Sequence, residues 1–365
     1  MGFKVMIVSI LLLIGMTTGS QAQTAVWTAW LYAPATGSIT QVDSSGTVVG
    51  GFTLPLAQAF NAYGTAIVVS PSGRYVAYTV YDSTQTIPNI ALFVYDHLIG
   101  ATRLTVDVTD SDALGYQFDA TALAFDEQTE RFAFGYLVEP DAWQVVVGDM
   151  QSGTVLTTLT AADDPALADL GAIIPVVRRL DGSSVWFTAL QADLDDQAPY
   201  SAFQADVITK QIVADTVYTT LLTDTDPLTG LVLTAGVDDT QANTIEIVNP
   251  DATRTVLYTE PNAMIEQVRW VEFDAEGSAR ALVQLYDAAT EQSGLKLLNR
   301  DGTLATELVG TLEQLRGVPN GFIGLFMSDG VWALAHVNTL EAELTRRTLW
   351  NSAPGDAISL VHVMW

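Results

Sequence analysis

Apolar stretches of a few residues alternate with tight polar turns along almost the whole chain, in a strand-like rather than helical rhythm. In "AIVVSPSGRYVAYTV" (66–80) two apolar runs flank Ser70-Pro71-Ser72-Gly73. The plan returns in "ALAFDEQTERFAFGYLV" (122–138), "IPVVRRLDGSSVWFTAL" (174–190) and "VRWVEFDAEGSARALVQLY" (268–286). Each reads as a β-hairpin: a short strand, a turn rich in Gly, Ser, Asp or Glu, and a second strand. Pro71 fixes φ and Gly73 tolerates a positive one, so the chain can reverse sharply there. The strands "RYVAYTV", "RFAFGYLV" and "SVWFTAL" are apolar at successive positions, which predicts burial on both faces of the sheet.

A second pattern follows. A strand ends in Asp or Asn, a short polar turn comes next, and another β-branched strand begins, as in "QVDSSGTVVG" and "LLNRDGTLATEL". Its anchors are Asp43, Asp96, Asp149, Asp206, Asn249, Asn299 and Asn338. Successive anchors stand roughly 40 to 57 residues apart, the period of four-stranded β-propeller blades. The expected fold is therefore all-β, a seven-bladed β-propeller. First strands of units five and seven, near 219–224 and 312–318, are weakly marked, which keeps six- and eight-bladed rings as alternatives. The first unit, "VWTAWLYA…SITQV…GTVVGGFTL", holds three strands, and residues 357–365, "AISLVHVMW", form a strand with no blade to follow. Pairing of these N- and C-terminal strands would close the ring and remove an exposed edge.

Residues 1–22 read as an export signal: Lys4, the apolar run Val5–Gly15, and Ser20-Gln21-Ala22 as a small-x-small cleavage site before Gln23. An uncleaved N-terminal anchor is the alternative. Residues 23–365 then form one propeller domain, exported to the periplasm, the cell surface or the medium, with no membrane span after cleavage. The chain has no cysteine, so packing alone must hold it. Its 42 Asp+Glu against 15 Lys+Arg give a net charge of −27, and removing Lys4 makes it one unit more negative. That field repels nucleic acid and attracts cations and basic protein surfaces. Charged residues are only 16% of the chain, so this is a folded body rather than an acidic tail.

At "SPSGRYVAY" the sequence resembles the WD-like propeller repeat of TolB-type proteins and of the propeller domains attached to prolyl oligopeptidases. Ser70, Pro71, Gly73, Val76, Ala77, Tyr78, Asp96 and Gly100 match that repeat, and Ser72 stands where the family has Asp. The other units match through the Asp/Asn turn and the spacing alone. The resemblance implies a fold and not an activity. TolB-type proteins carry an additional N-terminal α/β domain and bind a lipoprotein partner. No such domain fits between Gln23 and the first blade, so that partner is not carried over.

No catalytic residues are expected. There is no Gly-x-Ser-x-Gly elbow, and His97, His336 and His362 sit in or beside strands, where packing or turn roles suit them. Propeller topology gathers the longer acidic loops, 107–119, 161–171, 191–199, 223–227 and 237–241, on one face. Candidate ligand-binding residues there are Asp107, Asp110, Asp112, Asp193, Asp195 and Asp196, joined by Trp143 beside a long loop. Such oxygens suit calcium or a basic partner, but no loop completes a calcium-ligand pattern, so no cofactor is expected, with calcium as the alternative. The functional expectation is a non-catalytic binding or scaffold propeller, engaging a protein or small ligand through that acidic face or the central channel. The alternative is a propeller enzyme of lyase, lactonase or glycosidase type, with carboxylates at the channel mouth.

Overall fold

A computed structural model describes residues 27–55, 67–82, 89–107, 123–139, 142–168, 170–171, 173–191, 200–237, 243–261, 263–341 and 344–365. They form seven four-stranded antiparallel sheets, each built in chain order from an innermost to an outermost strand. This is a seven-bladed β-propeller, and the weakly marked first strands are present at Leu222–Thr225 in blade five and Glu313–Val318 in blade seven. Blade one is the exception in order: its innermost strand is Ser359–Met364, the second Thr28–Ala33. These two pair antiparallel, Thr28 opposite Met364 and Trp30 opposite His362, and the ring is closed by strands from both ends of the chain.

The apolar interior is divided into seven clusters, one in each joint between neighbouring blades. Side chains alternate across a strand, so one strand feeds two joints. In Thr28–Ala33, Ala29 and Leu31 pack toward blade seven while Trp30 and Tyr32 pack toward blade two. In the second strand of blade two, Val76 and Tyr78 face blade one, and Tyr75 and Ala77 face blade three. This explains why the sequence is apolar at successive positions. Both sides of the sheet are inside.

The repeated turns have a defined job. Six of the seven Asp/Asn anchors end third strands, and Asn249 directly follows one. Asp43 accepts the Ser45 and Thr47 amides at 2.9 and 3.0 Å, and Asp206 accepts those of Ile208 and Thr209 at 3.0 and 2.7 Å. These amide hydrogen bonds let the short polar side chain substitute for a backbone turn. The turns also dovetail with the outermost strand of the preceding blade. A Cβ on Gly46 would lie 2.5 Å from the Leu349 carbonyl oxygen, and one on Gly302 2.0 Å from that of Leu257. Only glycine permits that approach. The Ser70 turn bonds to the next blade instead: its hydroxyl and the Ser72 amide donate to the Glu127 carboxylate at 2.7 and 2.8 Å. Asp96, fully buried, accepts two bonds from Arg74 at 3.0 and 2.9 Å, tying the turn to the third strand.

Leu360, 2% exposed, is the test of the closing strand, and Met364, 40% exposed in the same strand, is its control. Leu360→Ala should lower unfolding free energy by about 2–5 kcal/mol and Met364→Ala by less than about 1 kcal/mol. Equal effects in denaturant titrations would remove the closing strand from the core.

Candidate functional site

Antiparallel order places first-to-second and third-to-fourth strand turns at one end of every blade and the remaining connections at the other. Asp107 ends the outermost strand of blade two, where the first long acidic connection begins. Asp110, Asp112, Asp193, Asp195 and Asp196 lie outside the described residues. In the 161–171 connection, Asp163 accepts the Thr160 amide and the Lys210 ammonium, both at 2.8 Å, and Asp164 accepts the Ala166 amide at 2.8 Å. These carboxylates brace their own loop and its neighbour. Trp143 is 1% exposed in the joint between blades three and four, its ring centroid 6.0 Å from that of Phe187. As placed, its faces are occupied by packing.

Segment 223–227 requires a correction. It is not a connection on the long-loop face: Leu222–Thr225 is the innermost strand of blade five, and Asp226 belongs to the turn at the opposite end. Asp226 is buried and accepts the Ser278 amide and hydroxyl at 2.8 and 3.1 Å. The strand reads as a loop in sequence because its polar side chains find partners across a joint or face the channel, where an apolar residue is not required.

That strand opens onto a cavity near the axis, of about 290 Å³, lined by innermost strands of several blades. Asp224, Arg269, Arg316 and His362 supply its polar groups, and Phe273 and Trp365 an aromatic pair stacked at 4.8 Å. The Asp224 carboxylate accepts the Trp270 amide at 2.7 Å. Burial pushes its pKa above the usual carboxylate range, against the nearby Arg269 and Arg316. Arg269 donates to the Leu315 and Val268 carbonyls, both at 2.8 Å, and Arg316 to the Leu315 carbonyl at 3.0 Å. Two guanidinium groups are thus fixed on one carbonyl in the joint of blades six and seven. The innermost strands meet closely there: a Cβ on Gly317 would fall 2.0 Å from the Trp270 carbonyl oxygen. A third arginine, Arg178 on the innermost strand of blade four, reaches to the Leu221 carbonyl of blade five at 3.1 Å.

The sequence reading missed Asp224, Arg269 and Arg316. A signal existed in "VVRRL", "QVRWV" and "QLRGV", where arginine interrupts the innermost, otherwise apolar strand of three blades. In a chain so poor in cations, a guanidinium on an inner strand points to the axis.

Among the described residues, no group of three or more His, Asp or Glu is placed to hold a metal ion. Nor is any helix among them long and apolar enough to cross a membrane. No family model and no curated protein matches the chain. Solved structures do. Apo prolyl oligopeptidase B from Galerina marginata aligns at 11% identity over 90% of this chain and 52% of its own, TM-score 0.56. Acylaminoacyl peptidase from Pyrococcus horikoshii aligns at 10% identity over 89% and 50%, TM-score 0.51. TolB from Acinetobacter baumannii aligns at 12% identity over 78% and 63%, TM-score 0.44. The chain spans about half the length of the two peptidases. Together with the seven-bladed ring, the likeness to these two peptidases is one of fold.

Two histidines make the fold sensitive to acid. Burial, with Arg316 beside one and Arg347 beside the other, lowers the pKa of His362 and of His336 to about 4. The unfolded chain takes up these protons near pH 6.5, before the folded one does, so stability falls from pH 6.5 toward 4. Each ring should remove about 2 kcal/mol by pH 5. The turn carboxylates act in a lower window: Asp206, held at about 2 by the Thr209 amide and the Ser183 hydroxyl, loses its contribution only below about pH 4. Urea titrations of His362→Gln should show a shallower loss of stability between pH 7 and 5; an unchanged slope would contradict this.

Proposed function

We propose that the protein is an exported, non-catalytic binding propeller whose central channel seats a small molecule carrying an anionic group. The observation supporting this reading is the Arg269 and Arg316 pair, pinned on the Leu315 carbonyl beside Asp224, with the Phe273–Trp365 stack across the same cavity. Fixed guanidinium groups bind a carboxylate with little further ordering, and the aromatic pair accepts the apolar remainder of a ligand. Asp224, drawn toward its protonated form, can then donate to the ligand rather than repel it. The N-terminal segment supports export, and the acidic connections read from the sequence, one of which starts at Asp107, would give basic partners a second approach. The prolyl oligopeptidase and acylaminoacyl peptidase likeness adds a fold and no activity.

The raised pKa of Asp224 favours a second reading, a propeller enzyme using it as a general acid. Hydrolysis of the glycosidase kind needs a second side-chain carboxylate opposite, and among the described residues lining this cavity Asp224 is the only side-chain carboxylate.

Benzoate is the probe that separates these ideas from a bare channel, because it joins a carboxylate to an aromatic ring. Titrating it should quench tryptophan fluorescence through Trp365 and raise the melting temperature. Arg316→Gln should weaken that binding by about tenfold. No response at about 10 mM benzoate, or equal affinity in the variant, would contradict the channel as an anion seat.

A further inference from the structure

A second cavity, of about 250 Å³, lies away from the axis in the joint between blades seven and one. Its wall combines His336 and Asn338 from the third strand of blade seven, Arg347 from the fourth, Asn320 and Glu341 from the turns, and Ser44 from blade one. The volume is several times the roughly 30 Å³ share of one water.

Three features of this joint are not explained by packing. First, His336 is only 7% exposed, sits edge-on to Trp27 at 5.4 Å, and its Nε2 has no hydrogen-bond partner among the described residues. Second, the Asn320 Oδ1 and Thr339 Oγ1 atoms are also buried without partners among the described residues, although the Thr339 amide does reach the Asn320 carbonyl at 3.1 Å. Buried polar atoms are normally paired, so three around one joint mark a place that something else completes. Third, Arg347 and Glu341 carry opposite charges into one cavity without forming an ion pair. Glu341 instead accepts from the Asn338 side-chain amide at 3.1 Å, and the Arg347 side chain makes no hydrogen bond or ion pair among the described residues.

A cation and an anion that line one polar cavity without pairing with each other match a ligand that carries both charges a few bonds apart. We propose that this cavity is a binding site for a small zwitterion, a free α-amino acid with a short side chain, its carboxylate on Arg347 and its ammonium on Glu341. The guanidinium takes a carboxylate in a two-point fork, and the carboxylate of Glu341 takes an ammonium hydrogen bond. The amide, hydroxyl and imidazole groups of the wall offer the remaining donors and acceptors. These two charges favour a ligand with both signs over one with either alone, because a lone anion leaves Glu341 facing it and a lone cation leaves Arg347.

Isothermal titration of the full chain with L-alanine as probe tests this, with acetate and methylammonium as its two halves. L-Alanine should bind, and each half at least about tenfold more weakly. Arg347 and Glu341 are both exposed, so Arg347→Ala and Glu341→Gln should melt as the parent does while losing at least about tenfold in affinity. Arg316→Gln, in the channel, should leave the L-alanine affinity unchanged. Absence of heat at about 10 mM L-alanine, acetate binding as tightly as L-alanine to the Arg316→Gln chain with its weakened channel seat, or unchanged L-alanine affinity in Arg347→Ala would each overturn the proposal.

Discussion

Each sheet of this protein is apolar on both faces, and that constraint governs everything else. A sheet with one greasy face can be covered by one layer, but a sheet with two requires a neighbour on each side. A closed ring of similar sheets satisfies all of them at once. Hence the core exists as seven joints rather than one centre, and Trp27, Trp30, Trp143 and Trp270 are all spent in those joints. The last strand beside Thr28–Ala33 is then a requirement of burial: without it, the innermost edge of blade one would be bare, and Leu360 would leave the joint with blade seven.

The same geometry sets where chemistry can occur. Joints are filled, so polar groups gather where joints run out: at the axis and at the rim of turns. At the axis, inner strands tolerate Asp224, Arg269 and Arg316 because one flank of each faces the channel rather than another sheet. At the rim, the turn after Asp43 meets the outer strand of blade seven, and the cavity around His336 opens where that fit is incomplete. Both histidines with lowered pKa border these two places, which links the acid sensitivity of the fold to the edges of the joints.

How much of this was legible in the sequence follows from what repeats. The Asp and Asn anchors and the hairpin plan around Ser70-Pro71-Ser72-Gly73 recur because every blade needs the same reversals, and they carried the blade number, while the three-strand first unit and the last strand carried ring closure. The channel residues do not recur. Arg178, Arg269 and Arg316 stand at different distances from their turns, and Asp224 lies in a strand so polar that it reads as a loop. Trp143 is buried by a placement that the chain order does not display. Proximity to a long loop along the chain says little about orientation, and strand alternation turned its ring into the joint with blade four. The cavity at His336 depends on Ser44 and Arg347, some three hundred residues apart, which only ring closure brings together.

Closure itself can be measured directly because the chain contains no cysteine. Thr28→Cys combined with Met364→Cys puts thiols on residues that face each other across the first and last strands. The account predicts that mild oxidation joins them within one molecule, at dilute protein concentration, and that the bridged form melts no lower than the parent. Thiols that stay free, or that bridge only between molecules, would show that these strands do not pair and that the ring is not closed in this way.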